Sequence, residues 1–69
     1  MKKSYEVTRI FGKVYNEYGQ LGFWVDLRDL RDGHNYLAQF FTGSNKRQLV
    51  KELRNAGCII PHRVYRAIG

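Results

Sequence analysis

Sixty-nine residues allow one small domain, residues 1–69, and a chain this short buries only about 60 % of its unfolded surface. Twelve Lys and Arg against six Asp and Glu give a formal charge of +6, and Phe, Trp and Tyr make up 14 % of the chain, a composition suited to phosphates and bases. The lone Cys58 excludes an internal disulfide and, with only His34 and His62 beside it, a four-ligand structural zinc site; no apolar run approaches the roughly 20 residues of a membrane span, and the basic start Met1-Lys2-Lys3 is followed by no apolar leader, so the expected compartment is the cytoplasm.

From Tyr5 to Tyr15 the β-formers Val7, Thr8, Ile10, Phe11, Val14 and Tyr15 predict a strand, bent at Gly12. Asn16 to Gly22 reads as a loop. Leu21 to Leu30 is a second strand with clean alternation: Leu21, Phe23, Val25 and Leu27 on one side, Gly22, Trp24, Asp26 and Arg28 on the other. Asp32-Gly33 predicts a type I′ hairpin turn, because Asp-Gly tolerates positive φ. A third strand follows from His34 to about Phe41.

The period then changes. Leu49, Val50, Leu53 and Ala56 form one helical stripe, Ser44 or Asn45 caps its start, and Gly57 stops it. Cys58-Ile59-Ile60 is a short apolar segment, extended against the sheet. Pro61 opens a last short helix with Val64, Tyr65 and Ile68 as its apolar stripe. Beyond it, Gly69 reads either as the start of a continuation or as a tail that folds back.

The expected architecture is α+β in two layers: a three-stranded antiparallel sheet with one main helix packed on one face, and a short C-terminal helical segment. Leu49, Val50 and Leu53 are expected on Phe23, Val25 and Leu27, with Ile10 and Val14 on the same side. For the third strand, Tyr36, Ala38 and Phe40 are favoured as the inward set over Leu37, Gln39 and Phe41, because a core Gln39 is expensive.

The opposite face then carries Arg9, Phe11, Lys13 and Tyr15, with Trp24, Asp26 and Arg28, and with Asn35, Leu37 and Gln39. An open sheet face is ordinarily polar. Aromatic side chains there demand an explanation, and three stand open. The face is covered by the C-terminal segment, a second copy or the rest of a longer protein; or it binds nucleic acid; or it docks a protein through an aromatic hot spot. In the nucleic-acid case Phe11 and Trp24 stack or wedge, Arg9, Lys13 and Arg28 take phosphates or base edges, and Asn35 and Gln39 read base edges.

Other chemistry is weaker. Asp26, Asp29 and Asp32 recur every third residue, but that spacing alternates faces on a strand, and Arg28 and Arg31 lie between them, so ion pairs outrank a metal site. His34 and His62 have the chemistry of acid and base in RNA cleavage, but a His beside a turn is more often solvated, and His62 falls in a segment the pattern does not place. Gly19-Gln20-Leu21-Gly22 lacks the Lys-Ser or Lys-Thr of a phosphate loop. Cys58 follows a helix end, which suits a small buried hydrophobe better than a nucleophile. Lys46, Arg47, Lys51 and Arg54 make the exposed side of the main helix basic, with Arg63 and Arg66 beyond Pro61. That strip lies across the molecule from the aromatic face. No metal, cofactor or catalytic residue is assigned.

The apolar strand Gly22–Leu30, the Asp32-Gly33 hairpin, the aromatic strand, the Leu49-x-x-x-Leu53 helix and the closing Gly57-Cys58-Ile59-Ile60-Pro61 together resemble the N-terminal module, a domain of unknown function, of helicase- and primase-associated ATPases carried by phages and mobile genetic elements. The resemblance covers about residues 7–69. It implies DNA handling, and a module either excised from a larger replication protein or standing alone, but no nucleotide-binding motor residues are present to carry over. A three-strand-plus-helix order is also similar to the arm-binding domains of tyrosine recombinases, which implies strands in a major groove. The expectation is a non-enzymatic module binding DNA or RNA through its sheet, with a protein-interaction module, such as a phage inhibitor or docking domain, as the alternative.

Overall fold

The computed structural model describes residues 4–68. Residues 1–3 and 69, on which the leader and chain-end expectations fall, lie outside them. The order is β1 (Tyr5–Tyr15), β2 (Leu21–Asp29), β3 (Asn35–Thr42), α1 (Lys46–Asn55), β4 (Cys58–Ile59) and α2 (His62–Ala67). The fold is α+β, as expected. The sheet is not the expected three-stranded antiparallel one. It has four strands in the order β3-β2-β1-β4, and β4 lies parallel to β1, with Tyr5 opposite Cys58 and Glu6 opposite Ile59. A helical crossover returns the chain in the direction it left. β4 therefore runs as β3 does, and hence as β1 does.

Local chemistry places each join. Asn16 organises the β1–β2 loop: its Oδ1 accepts the N–H groups of Tyr18 and Gln20 at 2.9 Å each, while Gly19 takes a φ of 77°. The β2–β3 connection differs from the expected two-residue Asp32-Gly33 turn. Asp29 N–H donates to the His34 carbonyl at 2.8 Å and Gly33 N–H to the Asp29 carbonyl, so residues 30–33 form a longer turn with Gly33 as its left-handed member. The buried Asp29 supports it, accepting the Arg31 N–H at 2.8 Å.

Asn45 caps α1 by accepting the Gln48 N–H at 3.0 Å, and Gln48 Oε1 reaches back to the Ser44 N–H at 2.8 Å. At the far end Gly57, φ 83°, turns the chain toward the sheet edge, where Tyr5 N–H donates to its carbonyl.

Both helices lie on one side of the sheet. Leu49, Val50 and Leu53 of α1 and Val64 and Ile68 of α2 bury against Val7, Phe23, Val25, Leu27 and Cys58. The expected packing of Leu49, Val50 and Leu53 on β2 holds, and Ile10 packs partly buried against the core.

Three irregularities in strand pairing change the alternation. One falls between Val7 and Arg9, one between Phe11 and Val14, and one opposite Asp26 on β3. Each inserts backbone that shifts later side chains to the other side. Val14 consequently pairs with Gly22, on the side of Trp24, rather than with the core set. On β3, Tyr36 pairs with Leu27 but stays exposed and outside the core, Phe40 pairs with Trp24, and Phe41 with Phe23. The favoured inward set Tyr36, Ala38 and Phe40 is therefore not the core set, and Phe41 packs against the core in place of Phe40.

Candidate nucleic-acid interface

The face of the sheet away from the helices carries a row of three aromatic rings. Phe11 of β1 sits opposite Trp24 of β2, and Trp24 opposite Phe40 of β3. Adjacent strands lie about 4.8 Å apart, so the rings form a band running across the strands. Trp24 and Phe40 meet edge to face, with centroids 5.5 Å apart and planes at 72°. Phe11 is 38 % exposed, and the Arg9 guanidinium lies over its ring, 4.6 Å from the centroid. Gly22 makes the band possible. A Cβ there would run into the Phe41 carbonyl oxygen and lie 2.5 Å from Cζ of Phe40, so only glycine leaves room for that ring beside the strand. At the loop end of the band, Tyr15, Tyr18, Trp24 and Phe40 line a depression of about 500 Å³.

Five of the seven residues expected on this face belong to it by register: Arg9, Phe11, Trp24, Arg28 and Asn35. Lys13 does not. The irregularity between Phe11 and Val14 turns it toward the helix side, where it lines a pocket with Phe23, Lys46, Ala67 and Ile68. Gln39 also leaves the face. It pairs with Val25 and stays exposed at the outer edge of β3, donating from Nε2 to the Leu37 carbonyl at 3.1 Å, so the penalty of burying it never arises. Phe40, which sequence alternation points inward, joins the face instead. The cause is the Asp26–Ala38 contact across β2 and β3: Ala38 has a φ of 56°, and its N–H donates to Asp26 Oδ1 at 2.9 Å.

The charges of this face balance. Glu6 stands opposite Arg28 and Arg9 opposite Asp26, which sets two cations against two carboxylates. Arg28 Nη2 donates to Glu6 Oε1 at 2.7 Å, the one ion pair among the described residues. The excess positive charge lies on the helix side instead, where Arg47, Lys51 and Arg54 on α1 and Arg63 and Arg66 on α2 are exposed.

The remaining candidates have structural roles. Asp29 and Asp32 accept the backbone N–H groups of Arg31 and His34, and Asp26 that of Ala38, rather than forming the expected ion pairs with Arg28 and Arg31. No three His, Cys, Asp or Glu among the described residues converge on one point. The His34 ring meets Tyr36 edge-on, 4.6 Å between centroids. Cys58 is buried in the core, and burial pushes its thiol up. No helix among the described residues is long and apolar enough to cross a membrane. The chain matches no family model, no curated protein and no solved structure.

Proposed function

We propose that this chain is a small non-enzymatic nucleic-acid-binding module that takes unpaired bases on the uncovered sheet face. The observation that carries the proposal is the in-register band of Phe11, Trp24 and Phe40 across three strands, with Arg9 stacked on its end. Each base offers a ring face, and stacking on an aromatic side chain contributes about 1–3 kcal/mol. Arg9 extends the platform, since guanidinium planes stack on bases as well as binding phosphates. Asn35 and Arg28 stand at the far end of the same face, in position for base edges or phosphate. The formal charge of +6 favours a polyanionic partner. The order of motifs over residues 7–69 resembles the module of mobile-element ATPases, and on that resemblance alone we extend the proposal to DNA.

Protein docking through the same band is the alternative, and the pairing of the face's own charges favours it. Trp24 is the only tryptophan and sits in the middle of the band, so its fluorescence separates the two. Titration with single-stranded oligonucleotides at low salt is expected to quench it, with quenching that fades log-linearly as salt rises. No response to any oligonucleotide at low salt would sink the nucleic-acid proposal and leave the docking one.

A further inference from the structure

We infer that the cleft between α1 and α2 is a second binding site, for the phosphodiester backbone of a duplex, so that one molecule holds two nucleic-acid segments on opposite sides of its sheet. The inference rests on the nucleic-acid proposal for the chain and adds a site to it. The cleft has a volume of about 560 Å³ and is lined by Lys46, Arg47, Val50, Lys51, Arg54 and Tyr65. At about 100° per helical residue, the four cations fall within an arc of roughly 140°, and Glu52, the only acid of α1, lies roughly 100° beyond it. Glu52 lines a neighbouring pocket with Leu21, Thr42, Gln48 and Lys51, and of the four cations only Lys51 lines both. The ammonium of Lys46 sits 3.9 Å from the Tyr65 ring centroid and ties the two helices together. Arg47, Lys51 and Arg54 form no ion pair among the described residues.

The dimensions suit a backbone. Lys46 to Arg54 spans about 12 Å at 1.5 Å per residue. One strand of a duplex presents a phosphate every 3.4 Å along its axis while winding around it, so a few phosphates come within reach of that length. A membrane surface fits less well. An interfacial helix buries an exposed apolar stripe in lipid, whereas α1 has its stripe of Leu49, Val50 and Leu53 packed in the protein core. The aromatic band cannot share this ligand at close range, because both helices pack on the opposite face of the sheet.

The test uses the whole chain, a biotinylated duplex about two helical turns long, and a fluorescent short thymidine oligonucleotide. Wild type on the immobilised duplex is expected to capture the single strand. A variant with Arg47→Gln, Lys51→Gln and Arg54→Gln keeps good helix formers at exposed positions. It is expected to bind the duplex more weakly, with its salt slope reduced by roughly 3, at about 0.9 for each lost phosphate contact. Quenching of its Trp24 by the single strand should remain, which also reports that it is folded. Trp24→Ala with Phe11→Ala should show the reverse: duplex bound with an unchanged slope, single strand not captured. An unchanged duplex slope in the glutamine variant would overturn the second site while leaving the sheet-face proposal standing. Duplex binding that survives while wild-type Trp24 answers no single strand would overturn the sheet-face proposal and the two-segment inference, leaving the cleft alone. Capture restored by mixing the two variants would assign bridging to an oligomer and overturn the single-molecule form. Wild type that binds phosphatidylserine vesicles through the same three cations but not the duplex would overturn the assignment of the cleft to nucleic acid.

Discussion

The carboxylate of Asp26 on β2 accepts the backbone N–H of Ala38 on β3 at 2.9 Å, and Ala38 holds a φ of 56° to donate it. This contact accommodates the extra residue in β3 and so turns Phe40 onto the face of Trp24. A left-handed non-glycine residue is strained by roughly 1–2 kcal/mol. Ala38→Gly should therefore raise stability by about 1 kcal/mol, read as a higher urea midpoint at unchanged slope. Asp26→Ala removes a charge-assisted acceptor and should lower stability by about 1–2 kcal/mol. If the bulge directs the band as argued, Asp26→Ala also alters Trp24 emission, whereas Ala38→Gly leaves it unchanged.

Gly22 is the second position on which the band depends. A Cβ there collides with the Phe41 carbonyl oxygen, which is backbone and cannot rotate away, and with the Phe40 ring. Overpacking of this kind costs about 1–3 kcal/mol. Gly22→Ala should therefore destabilise the fold by about 3 kcal/mol in urea melts and displace Phe40 from Trp24, visible as a shift in tryptophan emission. Gly12→Ala is the control, since a Cβ at Gly12 meets nothing within 4 Å. A Gly22→Ala protein as stable as the Gly12→Ala one would refute the close approach.

Much of this geometry is legible in the sequence. Period-two alternation locates β2 and its core set, the helical stripe locates α1, and Asn45 and Gly57 mark its ends, because each of these signals is local. Alternation fails where an inserted residue reverses it. Gly12 signals a bend in β1, but not that Lys13 crosses to the helix side. Nothing local to Leu37-Ala38-Gln39 indicates a left-handed alanine, because its partner Asp26 is twelve residues away. Phe40 and Gln39 are both misassigned for that one reason. The pairing of β4 with β1 is a long-range consequence of the α1 crossover, and Cys58-Ile59 alone shows only an extended apolar segment.

Burial of Cys58 gives a prediction in pH. In the unfolded chain the thiol ionises at its ordinary value; in the fold, desolvation holds it protonated to higher pH. Between those two values the folded state binds more protons, so stability falls as pH rises through that window and is unaffected below it. Cys58→Ala should flatten the alkaline part of the stability profile while lowering stability at neutral pH by removing buried volume. A thiol reagent should label native protein far more slowly than urea-unfolded protein. Equal labelling rates would place the thiol at the surface.

The Arg28–Glu6 pair offers a direct handle on the sheet face. The Arg28 side chain is 48 % exposed, so the pair contributes little to stability, at most about 1 kcal/mol. Its larger effect is on charge, since Glu6 neutralises a cation that would otherwise meet phosphate. Glu6→Gln should change the urea midpoint only slightly, tighten single-strand binding, and steepen its salt slope by about 0.7, as expected for one added phosphate contact on a single strand. Arg28→Gln should weaken binding and flatten the slope by no more than that. The double variant should resemble Arg28→Gln, because the gain from removing Glu6 passes through Arg28. Equal tightening by Glu6→Gln with and without Arg28 would mean that Glu6 acts only through net charge and that Arg28 does not touch the ligand.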